Sequence, residues 1–187
     1  SSSLPIGGNH LTSDIMVGLR TTFEEAERLK REKGYAIASS VNPDEAIEVK
    51  TLAKDETRYF PRRILSEIIE ARLTELFQLA REEIKKSNFG DILPAGIVLT
   101  GGCSLLPGIE LLAEKTLNMP ARVGIPKGIK NLPEMPFSPL HSTAVGLVLY
   151  TYRYKFLSPR TRIRKNLLAR FFHSLYNIFT HLFERGL

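Results

Sequence analysis

Apolar residues fall three and four apart through several stretches of this chain, and in short unbroken runs elsewhere. Ile15, Met16 and Leu19 give one side to a helix that Asn9 or Thr12 caps and that ends at Leu19. Thr22 and Glu25 have the spacing of a capping box, so a second helix runs from Phe23 to Lys33, with Gly34 as the left-handed residue past its end. Short strands follow at Tyr35 to Ser39 and Ala46 to Leu52, parted by the turn-prone Asn42-Pro43-Asp44. Pro61 opens the longest predicted helix, about Arg62 to Lys86, with Ile64, Ile68, Leu73, Leu76, Leu79 and Ala80 near helical spacing. Ile97 to Leu99 reads as a buried strand, Pro107 to Leu117 as a helix with Pro107 in its first turn, and Ala121 to Ile125 as a strand. A Pro- and Gly-rich loop leads to Ser142-Thr143, which caps an apolar helix to about Tyr154. Strands alternating with helices predict an α/β layer fold.

The pattern is strongest at the carboxyl end. Leu168, Phe171, Phe172, Leu175, Ile178, Phe179, Leu182 and Phe183 recur at three- and four-residue steps between Asn166 and Arg185. Polar residues fall largely between them, which makes one apolar stripe on an amphipathic helix of roughly 30 Å. Its polar face is ill suited to crossing a bilayer. Three roles fit it: a terminal helix on the core, a helix in a partner's groove, or a helix lying in a membrane interface. Phe171, Phe172, Phe179 and Phe183 on one side favour the interface, where bulky rings settle at the headgroup boundary. The basic tract that begins at Arg160 favours it too, since each Lys or Arg near an anionic leaflet contributes about 1 kcal/mol.

Of the 187 residues, 43% are apolar and 25% charged, enough for a core in one domain, or in one domain with an appendage. The net charge of +6 is uneven: Arg153, Lys155, Arg160, Arg162, Arg164, Lys165 and Arg170 crowd the end. An anionic partner therefore belongs to that tract and not to the whole surface. A single cysteine, Cys103, excludes an internal disulfide and suits a reducing compartment. There is no signal-peptide pattern and no long apolar span. The opening Ser1-Ser2-Ser3, without an initiator Met, is expected of a fragment or a processed chain.

Candidate chemistry centres on Gly101 and Gly102, which break the Ile97–Leu99 strand ahead of a helix. Paired glycines there let backbone N–H groups approach an anion or nucleotide closely. The same letters also make a tight turn with no ligand. No catalytic set emerges. Gly124-Ile-Pro-Lys-Gly128 lacks the spacing of a phosphate loop, and His10, His141, His173 and His181 have no metal-ligand spacing with Cys103. Asp14 reads either as a magnesium-shell carboxylate or as an ordinary helix first-turn acid. The helix start beside Cys103 is expected to favour its thiolate, but no His or acid companion is evident.

Gly7-Gly-Asn-His-Leu-Thr-Ser-Asp-Ile15, Val98-Leu-Thr-Gly-Gly-Cys-Ser-Leu-Leu-Pro-Gly108 and His141-Ser-Thr-Ala-Val-Gly-Leu147, with the terminal helix, resemble the bacterial cell-division FtsA family of the actin-like, Hsp70-like ATPase superfamily. The resemblance covers nearly the whole chain but only the carboxyl half of a family member. It implies an α/β, actin-like (ribonuclease H-like) ATPase fold, second lobe only. Residues 1–157 would be partial IIA and IIB subdomains, 158–165 a basic tether, and 166–187 an amphipathic membrane-targeting helix. The family's phosphate loop and first-lobe elements normally precede Gly7. The resemblance implies nucleotide contacts at Gly8 near the ribose, at Glu27 and Lys30 on the adenine–ribose side, and at Gly101, Gly102, Cys103 and Ser104 in the adenosine motif. Cys103 stands where Gly or Ala is more usual. Read without the family, Glu27 and Lys30 are a solvated charged face.

The implied function is that of an adaptor holding FtsZ filaments at the cytoplasmic face of the membrane at the division site, as a peripheral protein. Arg63 and Arg72, on the long helix, would meet the FtsZ carboxyl-terminal tail. Arg162, Arg164 and Lys165 would join the eight apolar tail residues on anionic lipids, and self-association into filaments is implied. ATP with Mg2+ is expected in the intact protein and no stable nucleotide in this chain, which carries no complete catalytic site. The alternative is a sugar-kinase-like or other phosphotransferase fragment of the same superfamily. A nucleic-acid partner, suggested by an isoelectric point near 9.5, lacks any recognition motif and is not expected.

Overall fold

The computed structural model describes residues 1–52, 56–87, 93–127 and 138–156. The predicted tether and amphipathic tail, with every membrane-contact residue named in them, lie outside the described residues. The chain divides into two units, Ser1–Lys127 with Leu132–Ser142, and Gly128–Asn131 with Thr143–Leu187.

The first unit is built on three helices, α1 (Gly8–Leu19), α2 (Phe23–Lys33) and α3 (Arg62–Lys86). Leu11, Ile15 and Leu19 of α1, Ala26 and Leu29 of α2, and Leu65, Ile69, Leu73 and Phe77 of α3 are buried in one core. Thr22 caps α2 by accepting the Glu25 amide at 3.3 Å, but the reciprocal half of the predicted capping box is missing. The Glu25 carboxylate is held by Arg28 instead. Gly34 follows α2 at φ −63° and not in the left-handed region. Packing is what requires glycine there: a Cβ would lie 2.3 Å from the Lys30 carbonyl and 3.0 Å from both Ile69 and Leu106.

Antiparallel strands β1 (Ala46–Lys50) and β2 (Thr57–Pro61) pair from Ala46↔Pro61 to Lys50↔Thr57. Strand β2 was not predicted. The predicted strand at Tyr35 to Ser39 is instead an irregular segment ending in a 3-10 turn, Ala38–Ser40. Its amides go elsewhere than to a ladder: Ala36 donates to the Pro107 carbonyl at 2.9 Å and Ala38 to the Glu70 carboxylate at 2.7 Å.

Parallel strands β3 (Ile97–Leu99) and β4 (Ala121–Val123) flank α4 (Ile109–Leu117) in sequence. Pro107 sits in a turn before α4 and not inside it. Gly108 caps α4 at φ +82°, with the Tyr35 ring so close that a Cβ would lie 2.7 Å from it. Leu106, Ile109, Leu112 and Leu117 extend the core to this side. In the second unit, α5 (Ser142–Thr151, its first residue belonging to the first unit) leads into a π-helical turn, Tyr152–Phe156. The Tyr150 and Tyr154 rings lie 4.4 Å apart by centroid. No helix among the described residues is long and apolar enough to cross a membrane.

Candidate functional site

Helix α1 starts at a glycine pair. Gly7 is its N-cap, and the Gly7 amide donates to His10 Nδ1 at 3.1 Å while the His10 amide donates to the Gly7 carbonyl at 3.0 Å. From the first turn of α1 the Gly8 carbonyl faces α2. The Lys30 ammonium, on α2, donates to Gly8 O at 3.2 Å, Thr12 Oγ1 at 2.8 Å and Glu27 Oε2 at 2.5 Å. Thr12 in turn donates to Glu27 Oε2 at 2.6 Å. A lysine with 7% exposure is stable only when such acceptors replace its water. Burial pushes the Glu27 carboxyl up, but the Lys30 and Thr12 hydrogen bonds and the Lys30 charge outweigh it, so it sits below the ordinary 4.5. Its second oxygen, Oε1, has no hydrogen-bond partner among the described residues.

The glycine turn closes on this cluster. A Cβ on Gly8 would lie 2.8 Å from Cys103 Sγ, so glycine is what lets the thiol pack against α1, while Lys30 Nζ at 3.8 Å is in ordinary contact. Burial pushes the Cys103 thiol above its ordinary value, partly offset by Lys30. The shift runs opposite to the lowering that the neighbouring helix start suggested. Gly101 adopts φ +92° and ψ 178°, a region essentially confined to glycine. A Cβ there would meet nothing within 4 Å, so its face is open. Gly102 packs closer, 3.3 Å from Leu140 by the same measure. Ser104 is buried and spends its hydroxyl on Gly101 O at 2.7 Å, holding the turn's shape. The Gly101 amide donates to Pro139 O at 3.1 Å, and the Thr100 and Ser142 hydroxyls meet at 2.5 Å.

The fold thus brings Gly8, Glu27, Lys30 and Cys103 together, with Gly101, Gly102 and Ser104 in the adjoining turn. Sequence reasoning missed Thr12, which lies one helical turn beyond Gly8 on the same face. It also missed the partner of Arg72. That guanidinium reaches across from α3 to α1, with Nε 2.5 Å from Asp14 Oδ2, a second nitrogen 2.9 Å from Asp14 Oδ1, and the third 2.5 Å from Glu75. The Asp14 bond raises the Arg72 pKa further above its already high value. Asp14 is therefore an interhelical anchor in this structure. Arg63 donates to Glu67 at 3.1 Å on the exposed surface of α3. The two arginines are nine positions apart, about two and a half helical turns, so they project from opposite sides of the helix.

Comparison with solved structures places this arrangement in a class. The chain superposes on MreB5 of Spiroplasma citri, a structure bound to ADP, with a TM-score of 0.64 at 16% identity, covering 84% of this chain and 48% of that one. A second MreB5 structure, bound to AMPPNP, gives 0.58. The fold is that of part of an actin-like domain. Sequence comparison narrows the class. The profile of the family Cell division protein FtsA matches residues 1–146. FtsA of Pseudomonas aeruginosa is 40% identical over 147 residues, 79% of this chain and 35% of that protein. FtsA of Bacillus subtilis is 36% identical over 152 residues (80% and 33%), and that of Escherichia coli K12 37% over 154 (79% and 37%). The chain belongs to the FtsA family of cell-division proteins, and it spans about a third of the length of these relatives.

Proposed function

We propose that this segment supplies the adenosine side of an ATP site in a division adaptor that tethers FtsZ filaments to the cytoplasmic membrane and self-assembles in an ATP-linked way. The observation that carries the reading is the meeting of Gly8, Glu27 and Lys30 with the Gly101–Cys103 turn. The residues fit a nucleoside. Glu27 Oε1 is an unspent acceptor for a ribose hydroxyl. Gly101 offers backbone with no side chain in front of it. Lys30, already held by three acceptors, orients Glu27 and does not reach for phosphate. Among the described residues no set of three His, Cys, Asp or Glu could hold a metal, so Mg2+ is proposed to ride on the nucleotide's phosphates. An acidic FtsZ tail would meet Arg63 on the open side of α3, with Arg72 behind it fixing α1 to α3. The basic tether and amphipathic tail would supply the lipid contact.

The nucleotide reading is tested on a polypeptide of the relatives' full length carrying this segment. Glu27→Ala should weaken ATP affinity at least tenfold in calorimetry, roughly the value of a charge-assisted hydrogen bond. Lys30→Met should weaken it too, by freeing Glu27 to turn. The 187-residue chain alone should bind ATP more weakly than micromolar. Unchanged affinity in both variants overturns the reading.

A further inference from the structure

Thr12 is fully buried within the Gly8–Glu27–Lys30 cluster. Its Oγ1 lies 3.1 Å from Gly8 O, 2.8 Å from Lys30 Nζ and 2.6 Å from Glu27 Oε2. A hydroxyl has one proton to give and two lone pairs that receive, whereas an ammonium only gives. Lys30 is therefore the donor in its contact with Thr12. The Thr12 proton then has two acceptors to choose from. The carboxylate wins over the carbonyl because it is nearer and charged. The Gly8 carbonyl has a donor of its own in Lys30.

Glu27 Oε2 thus receives two bonds, one from Thr12 and one from Lys30, while Oε1 receives none among the described residues. Lys30 and Glu27 both belong to α2, three positions apart. Thr12 belongs to α1, so its bond is the one that ties this carboxylate to the neighbouring helix. The last torsion of a glutamate is broad and two-fold, so a single donor on a flexible stem accepts either oxygen. A second donor on a short β-branched side chain, fixed in a packed core, admits one orientation.

We propose that Thr12 is a positioning residue that makes the site selective for ribonucleotides: it pins Oε2 of Glu27 and so keeps Oε1 free and fixed for a ribose hydroxyl. The inference rests on the nucleotide reading above and adds where its selectivity resides. A nucleotide without that hydroxyl leaves a fixed, partly buried acceptor unpaired, which is how a site built to bond a hydroxyl rejects the analogue lacking it. Thr12 has no surface to offer a ligand, so its effect on binding passes through its neighbours.

The test compares ATP with 2′,3′-dideoxyATP, which lacks both ribose hydroxyls, by calorimetry on a polypeptide of the relatives' full length carrying this segment. The parent should prefer ATP by about tenfold, the value of a charge-assisted hydrogen bond. Thr12→Val keeps the side chain's shape without the hydroxyl. It should cut that preference by about threefold, because Glu27 is loosened and not removed. The loss should fall on ATP and leave dideoxyATP unchanged. Thr12→Ser should keep the preference. Where circular dichroism shows Thr12→Val unfolded, Thr12→Ala carries the same expectation. Glu27→Ala separates this inference from the reading beneath it. If Glu27→Ala leaves the preference intact, the ribose contact itself fails, and Thr12's role with it. If Glu27→Ala abolishes the preference and Thr12→Val retains it, Thr12's role alone fails. A parent without preference, a Thr12 variant that weakens both nucleotides alike, or a preference lost as fully in Thr12→Ser as in Thr12→Val also overturns the proposal.

Discussion

Lys30 shows how one buried charge organises its neighbourhood. Its ammonium has exchanged water for a carbonyl, a hydroxyl and a carboxylate, each from a different residue of α1 or α2. The consequence is visible in pH. Because the folded Glu27 carboxyl lies below 4.5, the unfolded chain binds its proton more readily. The stability from this pair is therefore complete above about pH 4.5 and drains as pH falls through the folded value. Lys30→Met should cost about 2 kcal/mol at pH 7, toward the low side for breaking a buried pair because the Glu27 side chain is 35% exposed. It should also flatten the acid limb, since only the Thr12 hydrogen bond and the Arg31 charge then oppose burial on Glu27. Urea unfolding of both proteins at stepped pH checks this; an acid limb as steep in the variant as in the parent contradicts it. Family resemblance picked out Gly8, Glu27, Lys30 and Cys103 in the sequence. Thr12 carried no such mark, because a mid-helix threonine becomes an acceptor for lysine only once a second helix brings the lysine to it.

Helix α3 is where reading the pattern went partly astray, and the reason is in the pattern. Ile64, Ile68 and Leu76 each precede another apolar residue, Leu65, Ile69 and Phe77, so two adjacent columns have equal periodicity. The second column faces the core, while Ile64 is 37% exposed and Ile68 and Leu76 pack at its margin. Only the placing of α1 and α4 against α3 decides between them. Strand β2 was illegible for the opposite reason: Thr57, Arg58, Tyr59 and Pro61 are all exposed, which leaves no alternation of buried and open positions to read. The ends of α2 and α3, the glycine turn and β3 were legible because capping residues and paired glycines act locally, whereas α1 is capped by Gly7 and not by the expected Asn9 or Thr12. The α1–α3 contact also carries a prediction. Arg72 and Asp14 are 27% and 29% exposed and doubly hydrogen-bonded, a geometry stronger than a surface pair. Arg72→Ala should cost about 1–2 kcal/mol, and adding Asp14→Ala should cost little more, since the pair acts as a unit. Arg63→Ala, which breaks an exposed pair on the same helix, should stay within about 0.5 kcal/mol. Equal costs for the two arginines in urea unfolding would remove the distinction drawn between them.

At the scale of the whole molecule the chain joins two kinds of surface. Its first unit is a packed α/β body whose parallel pair, β3 and β4, leaves Val98 51% exposed, an unusual state for parallel strands, which are ordinarily covered on both faces. At its other end the charge of +6 gathers beside a Phe-rich stripe. If that tail is the lipid contact, two forces hold it, and they separate by experiment. Burial of the stripe is insensitive to salt, whereas attraction of Arg160, Arg162, Arg164, Lys165 and Arg170 to anionic headgroups is screened over about 8 Å at physiological ionic strength. The chain should sediment with vesicles containing phosphatidylserine, bind neutral vesicles less, and lose most of the difference in high salt. Phe172→Asp together with Phe179→Asp sets two carboxylates in the middle of the stripe and should abolish binding at any salt, because an interfacial helix needs its apolar face intact. Binding of that double variant equal to the parent's would place the stripe against protein instead of lipid, and the tail would then be part of a folded body.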